Sequence, residues 1–149
     1  MKGLLLAGLL ALAPSSQVGA EPLDQKGLVQ PWRGSADAYT VIDFAASWCA
    51  PCWKTLPRLA AYAAAHPELR VIVVSVDHEE AGRAKLVAGL GLELPVLWDG
   101  GYEIAEAYAP EGLPATVVLA PGGEEIFRQV GSDRAGWRRL LDLLEELGE

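Results

Sequence analysis

The stretch "YTVIDFAASWCAPCWKTLPRLAAYAAA", residues 39–65, constrains the fold more than any other part of the chain. Its first eight residues are β-rich and apolar on both faces, the pattern of an inner strand. From Cys49 onward the composition turns to Ala and Leu, which favour helix, and the run ends near His66-Pro67. The rest of the chain continues this alternation. "LRVIVVSV" reads as a second buried strand, "EEAGRAKLVAGLG" as a helix, "LPVLWD" as a short third strand and "GYEIAEAYAPEG" as a short helix or turn. "LPATVVLA" and "EEIFRQV", joined across "PGG", form a hairpin. In the closing segment, Trp137, Leu140, Leu141, Leu144 and Leu147 recur at helical spacing, so one side packs on the sheet. Alternating strands and helices that close in an antiparallel hairpin predict a three-layer α/β domain with a central mixed sheet.

Both cysteines of the chain lie in the segment where strand gives way to helix, as "CAPC". A disulfide closing so small a loop returns only about 2 kcal/mol in the chain-entropy picture, against about 5 for a hundred-residue loop. Stability is therefore a poor reason for the pair. Structural zinc would need two further ligands, and the spacing from Cys52 to His66 and on to His78 does not fit the usual finger pattern. A reversible dithiol remains. Backbone N–H groups at a helix start lack intrahelical acceptors and the helix dipole is positive there, so the Cys49 thiolate is favoured over its thiol. Cys52, three residues on, can attack a mixed disulfide at Cys49 while staying shielded from a bulky partner. Cys49 is thus the expected nucleophile and Cys52 the resolver. Pro51 has no N–H to lose at a helix start and stiffens the loop. Trp48 offers a flat apolar rim or a packing residue, and the residues alone leave both open.

The opening "MKGLLLAGLLALAPSSQVGAEP" combines a basic start, an apolar run from Leu4 to Ala13 and the small-residue pattern Val18-Gly19-Ala20. It reads as a secretory signal spanning 1–20, with a mature start at Glu21. The apolar run is far shorter than the roughly 20 residues that span a bilayer. Residues 21–37, with Pro22, Pro31 and Gly34, read as an irregular lead-in, and 38–149 as one domain. The full sequence carries a net charge of -8, and Lys2 is the only charged residue in the signal. Such an acidic chain is a poor match for nucleic acid or an anionic membrane surface. An exported dithiol meets an oxidising compartment, periplasmic or extracellular, so a reductant there needs a continuing supply of electrons.

Asp43 stands out within the otherwise apolar strand. Burying an ionised carboxylate is costly, so its pKa is expected to rise toward neutrality, where it can take the Cys52 proton during resolution. The bland alternative is an acid on a sheet edge facing water.

"DFAASWCAPCWKTLP" together with "GLPATVVLAPGGEEIFRQVG" resembles the thioredoxin superfamily, and most of all its exported TlpA/ResA-like branch of thiol-disulfide oxidoreductases. The resemblance covers roughly residues 38–148. "LELPVLWDGGYEIAEAYAPEG" looks like the extra strand-helix insertion of that branch. The resemblance implies dithiol exchange, a cis peptide bond at Pro114 across from the cysteines, and a buried acid at Asp43. It also implies that the Leu113 backbone receives an extended partner segment as an added strand. Trp53 departs from the pattern, standing where many relatives carry Lys or Arg, as does Leu113, where many exported relatives have Thr.

The remaining candidates read more plainly. His78, Glu79 and Glu80 suit a solvated helix start, His66 a surface helix terminus and Asp133 a helix cap. "PGGEE" lacks the Lys and Ser/Thr of a phosphate-binding loop, and no nucleotide, flavin or haem motif is recognisable, so no cofactor and no metal are expected. The expected partners are a disulfide-containing client protein and a membrane-bound thiol donor, with the protein itself monomeric. The leading reading is a reductant of exported client disulfides, with a role in c-type cytochrome assembly permitted by the resemblance. Two others stay open: a dithiol oxidase using the same residues, and a noncatalytic peptide-binding module on the same fold. A peroxidase fits less well, since it wants a lone peroxidatic thiol.

Overall fold

The computed structural model describes residues 21–148. The signal expected at 1–20 lies outside the described residues. The elements follow in the order β1 (Thr40–Ala45), α1 (Ala50–Ala65), β2 (Arg70–Ser75), α2 (Glu80–Leu90), β3 (Val96–Trp98), α3 (Glu103–Tyr108), β4 (Ala115–Leu119), β5 (Glu125–Val130) and α4 (Arg134–Leu147). They form one five-stranded sheet in the order β3-β2-β1-β4-β5. The β1–β2 and β2–β3 pairs are parallel, whereas β4 runs antiparallel to both β1 and β5. The mixed sheet and its alternation agree with the sequence reading, and β1, apolar on both faces, is the central strand.

Because side chains alternate across a strand, β1 sends Ile42 and Phe44 to one face and Val41, Asp43 and Ala45 to the other. Ile42 and Phe44 join Ile72, Val74 and Val117 under Ile104 of α3 and Trp32 of the lead-in. On the opposite face Ala45, Val73 and Val96 pack against Cys52 and Leu56 of α1 and Leu86 of α2. Farther along, Val41, Val71 and Val118 meet Leu59 of α1 with Leu140 and Leu144 of α4. Three helices therefore cover one face, while a short helix and the lead-in cover the other.

The lead-in has no regular element beyond a single Leu23–Val29 bridge, yet it completes the core. Trp32 is buried, its indole lies beneath the Arg33 guanidinium at 3.7 Å, and its carbonyl accepts the Tyr108 hydroxyl at 2.7 Å. Gln25 mimics a strand at the exposed edge: its amide donates to the Leu94 carbonyl at 2.6 Å and accepts from the Val96 N–H at 2.7 Å. Satisfying those groups blunts the edge of β3 against pairing with another chain. The hairpin turn also docks here, since a Cβ at Gly34 would lie 2.6 Å from the Gly123 Cα.

Candidate active site

Cys49 caps the N-terminus of α1 with extended backbone, and Pro51 sits in the first turn, where its missing N–H costs no intrahelical hydrogen bond. The two cysteines are joined in a disulfide, with their Cα atoms 5.3 Å apart. Cys49 retains 5% exposure and Cys52 none, so the outer sulfur belongs to Cys49. The Cys49 N–H closes onto the Ala46 carbonyl at 3.1 Å, and the Cys52 N–H onto the Cys49 carbonyl at 3.0 Å. The pair is held in a tight, ordered turn.

Trp48, the residue just before Cys49, is 69% exposed. It borders an open groove completed by Val76, Tyr102, Ala105, Glu106 and Leu113. Leu113 also packs against the cluster that contains both cysteines, and the Leu113–Pro114 bond is cis. Pro114 is buried, and its carbonyl accepts from the Gly131 N–H at 2.8 Å. Thus Trp48 and Leu113, far apart in sequence, meet on one surface beside the disulfide.

Asp43 is not at a sheet edge. It lies in the central strand, paired with Val73 on one side and Thr116 on the other, and is 4% exposed. Burial pushes its carboxyl up from 3.8 to about 7, against the opposing pull of the Thr116 hydroxyl. That hydroxyl donates to Oδ2 at 2.9 Å, while Oδ1 has no partner. A buried carboxylate with a single donor is poorly solvated, which is why its neutral form persists near neutral pH. Asp43 lines a narrow cleft with Thr55 and Leu59 of α1, Pro114, and Ser132 and Asp133 near the surface. Thr55 is one turn beyond Cys52 and donates to its carbonyl at 3.3 Å. The acid therefore faces the first turns of α1 from below, with a route toward solvent.

Sequence reasoning passed over a second buried acid. Asp77, two residues beyond β2, is 3% exposed, and its carboxylate accepts from the Ser47 N–H, the Ser47 hydroxyl and the Ser75 hydroxyl. Its own carbonyl accepts the Trp98 indole at 3.0 Å. The signal available was an Asp closing an apolar strand run opposite a Ser just ahead of the CxxC, which "VVSVDHEE" disguises as an ordinary strand exit. Trp53 donates its indole N–H to the Ser47 carbonyl at 2.9 Å, so the residue that departs from the family pattern has a definite partner. His78 is exposed with Nδ1 3.4 Å from the Tyr102 hydroxyl, His66 caps the end of α1, and Asp133 caps α4 by accepting from the Gly136 N–H at 2.7 Å. None of the three adjoins the disulfide loop.

Residues 26–124 match the AhpC/TSA family. Thioredoxin H2-1 of Oryza sativa subsp. japonica is 36% identical over 104 residues, covering 70% of this chain and 59% of that protein. The thiol-disulfide oxidoreductase ResA of Halalkalibacterium halodurans is 26% identical over 92 residues, covering 60% of this chain and 52% of that protein. The chain thus spans between 52% and 59% of the length of these two relatives. Among solved structures, StoA from Bacillus subtilis superposes with a TM-score of 0.70 at 22% identity, covering 87% of this chain and 95% of that one. That likeness establishes a thioredoxin-like fold. Among the described residues no helix is long and apolar enough to cross a membrane.

Proposed function

This chain belongs to the AhpC/TSA family of the thioredoxin superfamily, and from that premise we propose that it is a thiol-disulfide oxidoreductase working through Cys49 and Cys52. The observation that carries the reading is the Cys49–Cys52 pair at the N-terminus of α1, with the more exposed sulfur at the cap. In the reducing direction the Cys49 thiolate attacks a client disulfide, forming a mixed disulfide and expelling one client sulfur as a thiolate that takes its proton from solvent. Asp43 takes the proton of Cys52, whose sulfur attacks Cys49, and the second client sulfur leaves with a proton. Two electrons pass from the dithiol to the client, and the Cys49–Cys52 disulfide is formed.

Trp48 and Leu113 supply the surface that receives the client, with Pro51 and Pro114 fixing the loops on either side. An extended client segment is expected to lie along the Leu113 backbone, its side chains reaching the groove beside Trp48. The leader at 1–20 would carry the dithiol to a periplasmic or extracellular compartment, where a membrane-bound thiol donor returns it to the reduced state. Cytochrome assembly is one use of such a reductant. A Cys52→Ser protein should accumulate mixed disulfides with clients, because the resolving sulfur is gone, and a Cys49→Ser protein should not. Equal trapping by both variants would defeat the assignment.

A further inference from the structure

Ser47, two residues before Cys49, is held at every polar atom it has. Its N–H lies 3.0 Å from each oxygen of Asp77, and its hydroxyl donates to Oδ1 at 2.7 Å. Its carbonyl accepts the Trp53 indole N–H at 2.9 Å. The grips come from different elements: Asp77 follows β2, whereas Trp53 belongs to α1. The second Asp77 oxygen also accepts the Ser75 hydroxyl at 2.7 Å, leaving the carboxylate with hydrogen-bond donors only.

Helix α2 is shaped around both grips. A Cβ at Gly82 would lie 2.1 Å from the Asp77 Cγ, and one at Gly89 would lie 2.7 Å from the Trp53 ring. Gly82 and Gly89 are two turns apart and so share a face with the buried Leu86 between them. Glycine inside a helix weakens it relative to alanine, so two such positions in a short helix need a reason. Room for the two side chains that grip Ser47 supplies it.

We propose that Asp77 is a positioning residue for the redox loop: through Ser47 it fixes the Trp48–Cys49 segment, and its negative charge disfavours the Cys49 thiolate. Two residues of extended chain reach only about 7 Å, so the charge acts on the nucleophile at short range. By opposing the thiolate it disfavours the reduced state, in which the two sulfurs carry the two electrons added to the disulfide. The couple is thereby biased toward donating electrons. This inference rests on the dithiol-exchange reading and adds its direction.

Asp77 has no ion-pair partner among the described residues. Arg83, beside Gly82, turns to Glu80 and the Leu23 carbonyl. His78 faces the Tyr102 hydroxyl, Lys54 of α1 is exposed, and Asp43 of β1 bonds to Thr116. Among the described residues, nothing neutralises the charge except its hydrogen-bond donors.

The test uses the full chain, equilibrated with a glutathione series for its reduction potential and alkylated against pH for the Cys49 thiolate. Asp77→Asn keeps the shape and one acceptor while removing the charge. Its equilibrium should move three- to tenfold toward the dithiol, about 14 to 30 mV upward, and its Cys49 alkylation midpoint should fall by about half to one pH unit. Ser47→Ala removes one donor and leaves the charge less compensated, so both readouts should move the opposite way, by about twofold in the equilibrium. A folded Asp77→Asn protein with unchanged potential and midpoint overturns the proposal. Should that variant fail to fold, Ser47→Ala decides, and no shift, or a shift toward the dithiol, overturns it. Glutathione is the only exchange partner in these measurements, so a failure of client trapping would defeat the dithiol-exchange reading without touching this one.

Discussion

Asp43, in β1, and Asp77, just past the end of the neighbouring parallel strand β2, are both buried carboxylates, and their surroundings differ in one respect that decides what each can do. Asp43 has a single donor, the Thr116 hydroxyl, and one oxygen with no partner. Asp77 has donors on both oxygens, two of them from Ser47. A buried acid short of donors is driven toward its neutral form and can gain or lose a proton near neutral pH. One surrounded by donors is a fixed anchor for whatever supplies them. Burial is common to both; the count of donors separates a carboxyl able to exchange a proton near neutral pH from a fixed anchor.

The contrast predicts stability changes of opposite sign. Asp43 ionises less readily folded than unfolded, so its favourable contribution is intact below 3.8 and is lost as the pH rises to about 7. Asp43→Asn should remove that loss. At pH 8 the variant should be more stable than the parent by about 4 kcal/mol, with the difference shrinking to nothing below about pH 3. Urea unfolding of the oxidised protein across that range measures it. Asp77→Ala should act the other way, costing about 3 kcal/mol at pH 7, because the half-buried Ser47 N–H and hydroxyl and the buried Ser75 hydroxyl lose their acceptor. The same unfolding experiment, run on both variants together, breaks the comparison if the signs agree. Thr116→Val sharpens it at a smaller scale. Loss of the Thr116 donor to Asp43 should raise its pKa by about one further unit, read from the carboxyl resonance in an NMR titration.

Asp43 was legible in the sequence because a charge inside an apolar strand is a local anomaly. The central position of β1 and the packing face of α4 were legible for a similar reason, since periodicity within one segment carries them. The cis bond at Leu113–Pro114 was legible only through family resemblance, as proline chemistry alone favours trans. The Asp77 clamp was not, because its meaning is spread over four segments. Ser47 lies 30 residues away in sequence, and Gly82 and Gly89 look like weak helix formers until the side chains beneath them are seen. Trp32 escaped notice for a related reason: in a polar, proline-containing lead-in, one tryptophan gives no periodicity to read. The turns bracketing α3 are equally hidden, since Tyr102 and Ala109 adopt φ of 56° and 46° without the glycine that usually marks such backbone.

The central claim is that Asp43 receives the Cys52 proton as the mixed disulfide resolves. Stopped-flow resolution of a preformed Cys49 mixed disulfide, followed from pH 5 to 9 in the parent and in Asp43→Asn, tests it most directly. The parent rate should climb with a midpoint near the Asp43 value of about 7, as the carboxylate becomes available as a base. The variant should be slower near neutrality by about 100-fold, the lower end of what a positioned base contributes, with its climb displaced toward the ordinary thiol range. An unchanged rate and an unchanged profile in a folded Asp43→Asn protein would contradict the account.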